Sequence, residues 1–198
     1  MNESFIQKAK NLKLLLTDVD GVMTDSKLCW YTDGEGRHIE VKNFESLDGM
    51  GMMFLRACGV HTGIVSRGSA PILQDWASML GMDVLYYSAM DKTAALQDAC
   101  ARFAVTLQET AFIGDDIIDL GVLNKVGFRL SVENAVAEVK ALADYISPKR
   151  GGYGAVRDIC EQILKARGQW QDIVRQVTDG TFQDTRRPLC IVKGISKK

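Results

Sequence analysis

The chain is poor in the residues on which several kinds of chemistry depend. It holds only two histidines, His38 and His61, far apart in 198 residues. An imidazole-based metal site or nucleophilic relay therefore has little support. His38 is expected as a solvated or cross-strand side chain, and His61 as a structural one. The five cysteines, Cys29, Cys58, Cys100, Cys160 and Cys190, are odd in number and include no Cys-x-x-Cys pair. Reduced thiols in a cytoplasmic protein are expected, with Cys58 and Cys100 serving as small buried hydrophobes. No apolar run approaches the ~18 residues needed to cross a bilayer. The polar stretch 1–13 contains no apolar signal-peptide core. Charge of either sign is not in excess: 24 Lys and Arg face 25 Asp and Glu, for a net charge of −1. That balance gives no electrostatic footing for nucleic acid or a membrane surface. Internal repeats and low-complexity tracts are also missing.

What is present is an ordinary globular composition, 46% hydrophobic, in a length that suits one domain with a tail or small insertion to spare. Apolar runs at 12–17, 60–65, 83–87, 110–113 and 127–130 read as buried strands. Helical patterns cover 49–57, 70–80, 92–103, 117–124, 135–142 and 153–165. This alternation predicts an α/β fold with a doubly wound, Rossmann-like parallel sheet. One segment breaks the rhythm. Residues 27–32 and 37–43 read as extended, and Asp33-Gly34-Glu35-Gly36 between them is a turn sequence, so a β-hairpin is expected over about 27–43. A hairpin leaving the carboxyl end of the first strand would stand beside the ligand crevice of such a sheet. The domain is read as 1–167. The remainder, 168–198, is a tail with a short helix over 170–177 and a basic end, expected to be mobile or docked on a neighbour.

The acidic residues collect where strands end. Asp18-Val19-Asp20-Gly21-Val22-Met23-Thr24-Asp25 follows the first apolar run directly. Asp18 and Asp20, two apart, can point one carboxylate at a metal and phosphate and the other at a leaving group. Gly21 gives the backbone freedom for a sharp exit. Crowded carboxylates need a cation to stay ionised. A solvated acidic turn would explain an isolated Asp-x-Asp, but a second acidic strand end removes that reading. Gly114-Asp115-Asp116-Ile117-Ile118-Asp119 follows the apolar run 110–113, and in a parallel sheet both ends open on one edge. Hard oxygen ligands without a His or Cys cluster suit Mg²⁺ rather than zinc. Two weaker signals fit between them. Ser66 closes a strand where a hydroxyl can hold a phosphoryl oxygen, although a serine there is more often a cap. Lys92 opens a helix where an ammonium can offset phosphate charge.

These four ordered motifs, Asp18 to Asp25, Ser66, Lys92 and Gly114 to Asp119, resemble the haloacid dehalogenase-like phosphatase superfamily. The resemblance implies that Asp18 attacks phosphorus and that Asp20 protonates the leaving oxygen and later activates water. It implies Mg²⁺ between Asp18, the Asp20 carbonyl and Asp115, with Ser66, Lys92, Asp116 and Asp119 supporting the phosphate site. Between the first two motifs only the hairpin intervenes, so no large cap domain is expected. The hairpin, Asp48-Gly49-Met50-Gly51 and Arg150-Gly151-Gly152-Tyr153-Gly154 resemble one branch of the superfamily over residues 8–166. That branch acts on 3-deoxy-D-manno-octulosonate 8-phosphate, a precursor of lipopolysaccharide. The branch implies a homotetramer whose hairpins pack together, and a phosphorylated sugar acid as the partner molecule.

The chain departs from the branch in its arginines. Ser66-Arg67-Gly68 exchanges the order of glycine and arginine, and Trp76 and Met53 stand where the branch has arginines. Bidentate guanidinium forks suit a sugar acid's carboxylate, so Arg67, Arg56 or Arg150 is expected to substitute, with Asp48 and Gly49 also near substrate. A related nine-carbon sugar acid 9-phosphate is the neighbouring alternative. A receiver-like phospho-signalling module and a catalytically silent scaffold are the remaining ones. The receiver places its phosphorylated aspartate on a later strand, and clustered acids without a task are costly.

Overall fold

The computed structural model describes residues 2–68 and 71–195. In chain order the elements are α1 (Glu3–Asn11), β1 (Leu14–Thr17), β2 (Cys29–Thr32), β3 (His38–Val41), α2 (Ser46–Ala57), β4 (His61–Val65), α3 (Ile72–Met79), β5 (Val84–Tyr87), α4 (Lys92–Phe103), β6 (Thr110–Gly114), α5 (Leu120–Leu123), β7 (Phe128–Ser131), α6 (Ala137–Leu142), β8 (Tyr145–Ile146), α7 (Ala155–Ala166), α8 (Trp170–Thr178) and β9 (Cys190–Lys193). Seven strands form one sheet in the order β8-β7-β6-β1-β4-β5-β9, with every neighbouring pair parallel. Every residue of β1 and β6 is buried. Continuous apolar runs of this kind need cover on both faces. Helices α1, α2, α7 and α8 pack as one group, and α4, α5 and α6 as another. The expected doubly wound α/β sheet is present.

The topology fixes where chemistry can occur. From β1 the chain moves outward to β4 and β5; from β6 it moves outward on the other side to β7 and β8. The carboxyl ends of the adjacent strands β1 and β6 therefore flank a switch point, where a crevice opens. Register brings Thr17 opposite Ile113, and Asp18 N–H extends the ladder by donating to Ile113 O at 3.0 Å. Asp18 and Asp115 are thereby neighbours.

The hairpin forms as expected, with Cys29 opposite Val41 and Thr32 opposite His38. Asp33 shapes its turn by accepting from the backbone of Glu35 and Arg37. His38 is cross-strand, 3.1 Å from Thr32 Oγ1. Leu28, Trp30, Tyr31, Ile39 and Val41 are exposed on this two-stranded ribbon.

Other elements differ from expectation. The expected helix start at Ala70 lies outside the described residues, as do 196–198. The segment 117–124 makes a 3₁₀ turn at Ile117–Asp119 before α5, because the Asp119 carboxylate bends back to accept from Asp115 and Asp116 N–H. Helix α1 lies in a stretch expected only to be polar. Asn2 caps it, and Phe5 and Ala9, four apart, are buried; the Phe5 ring meets Phe128 edge-on at 5.1 Å. The tail, expected to be mobile or docked on a neighbour, is docked on its own chain as far as residue 195. Phe182 packs against Phe54, β9 extends the sheet beside β5, and Arg187 pairs with buried Asp83 at 2.9 Å.

Candidate active site

Beyond β1 the chain makes one tight turn in which Val22, Met23 and Thr24 N–H all turn back to Val19 O. Gly21 sits in this turn at φ +91°, and a side chain there would collide with the Asp115 carboxylate. The close approach needs glycine. Asn134 fastens the turn from outside. Its amide donates to Gly21 O at 2.9 Å and its oxygen accepts from Gly151 N–H at 2.6 Å.

Lys92, the first residue of α4, projects into the centre. Its Nζ lies 2.6 Å from Asp18 Oδ2 and 2.7 Å from Asp119 Oδ1. Asp91 caps the helix behind it by accepting from Thr93 and Ala94 N–H. The loops after β4 and β5 are tied together: Ala89 N–H donates to Ser66 O and Ser88 N–H to Gly68 O. A cavity of about 230 Å³ is lined by Asp18, Asp20, Ser66, Arg67, Lys92, Asp115 and Asp116, among others.

The electrostatics are unbalanced. Oxygens of Asp18, Asp115 and Asp119 lie within 4.8 Å of one another, and one ammonium, Lys92, faces three carboxylates. Burial lifts the Asp18 carboxyl above its usual range despite Lys92 beside it. Burial, reinforced by Asp18 and Asp119, lifts Asp115 to about 7. Burial would lower Lys92, but its acidic neighbours outweigh that and hold it charged. With all three acids ionised the cluster carries a deficit equal to one divalent cation. Asp119 has spent both oxygens, on Lys92 and on two backbone N–H groups. Asp115 Oδ1, by contrast, is buried and has no hydrogen-bond partner among the described residues. A bare carboxylate oxygen beside a −2 deficit, with only oxygen donors around it, fits Mg²⁺.

The expected residues divide. Asp18, Asp20, Ser66, Arg67, Lys92, Asp115 and Asp116 line the cavity, and Asp119 lies buried behind it. Asp116 also caps the turn that follows it. Asp48 and Gly49 do not reach the cavity. Asp48 is buried and accepts from Arg157 N–H at 2.7 Å, capping α7, while Gly49 packs on Leu80 and Trp76. Arg150 lines a separate cleft with Asp25, Lys27, Asn134, Gly151 and Tyr153. Arg56 is buried and committed to Asp184, Thr185 O and Leu80 O, so it anchors the tail and is not free for a ligand. Trp76 stacks on Phe44 at 4.6 Å.

Two contributors escaped the sequence reading. One is Asn134, whose role depends on a contact spanning 113 residues. The other is Lys42, just past β3, whose Nζ lies 2.6 Å from Asp20 Oδ1 and 2.8 Å from Glu40 Oε1. Its parity with Glu40 along the strand was readable; the partner was not. Lys42 also lines a cleft of about 590 Å³ between β3 and the start of α3.

A family model described as haloacid dehalogenase-like hydrolase matches residues 77–157. The 3-deoxy-D-manno-octulosonate 8-phosphate phosphatase KdsC of Escherichia coli (strain K12) is 34% identical over 164 residues, covering 83% of this chain and 85% of its own. The protein of the same name from Haemophilus influenzae is 34% identical, covering 82% and 88%. Among solved structures, the 3-deoxy-D-manno-octulosonate 8-phosphate phosphatase from Moraxella catarrhalis, in complex with magnesium ion, phosphate ion and KDO, superposes with a TM-score of 0.83 at 34% identity, covering 89% of this chain and 99% of that one. The cobalt-bound enzyme from Haemophilus influenzae gives a TM-score of 0.79 at 32% identity, covering 87% and 99%.

Proposed function

The chain belongs to the 3-deoxy-D-manno-octulosonate 8-phosphate phosphatase branch of the haloacid dehalogenase-like hydrolases, and from that premise we propose that it hydrolyses this phosphomonoester through an aspartyl-phosphate on Asp18. The observation that carries the proposal is the arrangement around Asp18. Its carboxylate is held by Lys92, lies within 4.8 Å of an Asp115 oxygen, and stands two residues from a second carboxylate, that of Asp20.

The chain's own groups divide the work. Asp18 forms a bond to phosphorus as the bond to the leaving oxygen breaks. Asp20 supplies the proton that this oxygen needs. In the second half Asp20, now a carboxylate, takes a proton from water; the water oxygen attacks phosphorus and the Asp18 carboxylate departs. Splitting one displacement into two at a single carboxylate is covalent catalysis. Lys92, fixed by Asp119, meets the charge on the transferring group, and Ser66 and the backbone around it hold a phosphoryl oxygen. Asp18, the Asp20 carbonyl and Asp115 would hold Mg²⁺, which when bound would supply charge neutralisation and polarisation of the phosphoryl group.

The sugar reading rests on the branch, and the arginine positions qualify it. Trp76 and Met53 occupy positions where the branch has arginines, which leaves a related nine-carbon sugar acid 9-phosphate as the second reading. Arg67 on the cavity wall is the guanidinium placed to meet a carboxylate in either case. Arg150 in the adjoining cleft, with the loop that Asp48 caps, supports the substrate side from further out. The exposed apolar residues of the hairpin support a homotetramer, because an isolated two-stranded ribbon is marginal in water. Among the described residues no helix is long and apolar enough to cross a membrane, and the free cysteines suit a cytoplasmic enzyme. Residues 1–167 form the catalytic domain, and the tail braces it.

A screen of phosphorylated sugars and sugar acids by phosphate release tests the proposal. Preference for the octulosonate 8-phosphate supports it. Equal turnover of hexose phosphates overturns the branch substrate, and no release from any phosphomonoester overturns the chemistry.

A further inference from the structure

Lys42 connects the hairpin to the reacting groups. Its side chain is 5% exposed, whereas that of Asp20, its partner, is 39% exposed. An aspartate so open turns about χ1 and χ2 unless something holds it. Among the described residues, the hydrogen bonds that Asp20 receives converge on one oxygen: Lys42 Nζ at 2.6 Å and Thr24 Oγ1 at 3.5 Å both meet Oδ1. Oδ2 faces elsewhere. A Cβ built on Gly68 would lie 3.8 Å from Oδ2 and 3.2 Å from Ser66 Oγ, so Oδ2 is turned toward the loop that lines the phosphoryl cavity. Glu40 steadies the ammonium from the other side at 2.8 Å.

We propose that Lys42 is a positioning residue: by donating to Oδ1 it holds Asp20 with Oδ2 aimed at the leaving oxygen. This rests on the phosphatase reading above and adds a role for the hairpin. As Asp18 bonds to phosphorus, the bond from phosphorus to the leaving oxygen breaks and its electron pair stays on that oxygen. The proton on Oδ2 neutralises it. Oδ1, the carbonyl oxygen of the protonated acid, keeps accepting from Lys42 throughout. A bond of this kind is charge-assisted and short. The hairpin thus carries a group that orients the acid, and its placement over the core becomes a condition for rapid cleavage of poor leaving groups.

The discriminating experiment compares two substrates on each enzyme preparation. One is a simple alkyl phosphate, whose alkoxide needs a proton to leave. The other is 2,4-dinitrophenyl phosphate, whose phenolate leaves without one. Positioned acids contribute roughly 10²–10⁴-fold, and loss of positioning forfeits part of that. Lys42→Met is expected to lower kcat/KM on the alkyl phosphate by about 10–100-fold, with less than about threefold loss of kcat/KM on the dinitrophenyl ester, because kcat/KM ends at departure of the leaving group and leaves out the water step that Asp20 also serves. Lys42→Arg, which keeps a donor, should recover part of the loss. Asp20→Asn gives the same pattern in stronger form. The ratio of the two kcat/KM values cancels any shortfall in folded enzyme, so a tether that merely stabilises the hairpin does not move it. Equal losses on both substrates, or no loss on the alkyl phosphate, overturn the assignment. If the unmodified enzyme cleaves neither ester, the phosphatase reading fails and this inference with it.

Discussion

At the amino edge of the sheet, Asp144 receives Arg129 Nη2 at 2.6 Å, Arg129 N–H at 2.9 Å and Lys8 Nζ at 2.7 Å. Glu109 on the same edge takes Lys13 at 2.6 Å and Thr106 through both backbone and hydroxyl, and its carboxyl falls to about 2. At the carboxyl edge, about one strand length away, Asp18 and Asp115 rise instead, and Asp115 Oδ1 has no donor among the described residues. All are carboxylates, but Asp18 and Asp115 are set deeper than Glu109 and Asp144, which stay partly exposed. Two differences act together: burial is deeper at the carboxyl edge, and donors are fewer there, since cations and N–H groups meet each acid at one edge, whereas one ammonium serves three acids at the other. Acids left short of donors are held there by the fold at a cost in stability, which marks that edge as the place of chemistry.

The largest expected effect comes from the crowded edge. Asp18→Asn should lower phosphatase activity by roughly 10⁴-fold or more, because the bond-forming group is gone. Circular dichroism should stay unchanged, and release of phosphate from para-nitrophenyl phosphate reads the loss. Near-normal turnover would dissolve the distinction between the two edges.

Next is the ion. Thermal unfolding with and without Mg²⁺ should show stabilisation of about 2.7 kcal/mol when the metal stands at a hundred times its Kd. Asp115→Asn should lose most of that gain. In chelator the same variant should be the more stable protein at pH 8. The sign follows from the raised carboxyl: between about 4 and about 7 the unfolded chain has released its proton and the folded chain has not, so stability falls as pH rises through that window. Removing the ionisable group removes the fall. A chelator-treated Asp115→Asn that is less stable at pH 8 would mean that the crowding is absent in solution.

Asp48 sharpens the comparison, since it is a buried acid that does not line the cavity. Burial lifts its carboxyl to about 6, partly offset by Arg157 N–H. The wild-type protein should lose stability relative to Asp48→Asn as pH rises from 4 to above 6. The change is on the order of 2–3 kcal/mol, added to whatever constant offset the amide introduces. KM should stay within about twofold, as befits a helix cap; a large rise would return Asp48 to the substrate.

The sequence exposed most of the carboxyl edge, because Asp18 and Ser66 follow apolar runs directly, Asp20 and Asp115 come within three residues of one and Lys92 opens the helix after another, and a parallel sheet delivers such positions to one place. The division between Asp115 and Asp119 was not legible: both are acids near one strand end, and only the backward bend of Asp119 onto two N–H groups separates a ligand from a brace. Lys42 and Asn134 act through contacts 22 and 113 residues away, which no local pattern encodes. Helix α1 was hidden by its charged face, since Phe5 and Ala9 are its two buried residues. Strands β8 and β9 are two and four residues long and are defined by the neighbours they pair with. Arg56 misled because a guanidinium in a chain that had lost others suggested a ligand, whereas the tail had claimed it.

The smallest expected effect belongs to the well-supplied edge. Burial works against the Asp144 charge, but Arg129 and Lys8 outweigh it and hold the carboxyl below its usual range. Such a group contributes stability above the unfolded pKa of about 4 and loses it as pH falls through the lower, folded value. Asp144→Asn should therefore cost about 1–2 kcal/mol at pH 7, discounted because Lys8 and Arg129 are partly open to solvent. The unfolding curves of variant and wild type should converge as the pH drops below 4. Added salt should shrink the gap at pH 7, since the exposed part of the pairing is screened. Activity should stay within about twofold, because Asp144 lies at the opposite edge of the sheet from Asp18. A drop in kcat with the fold intact would show that the two edges are coupled through β6 and β7, and that an acid well supplied with donors can also serve the reaction.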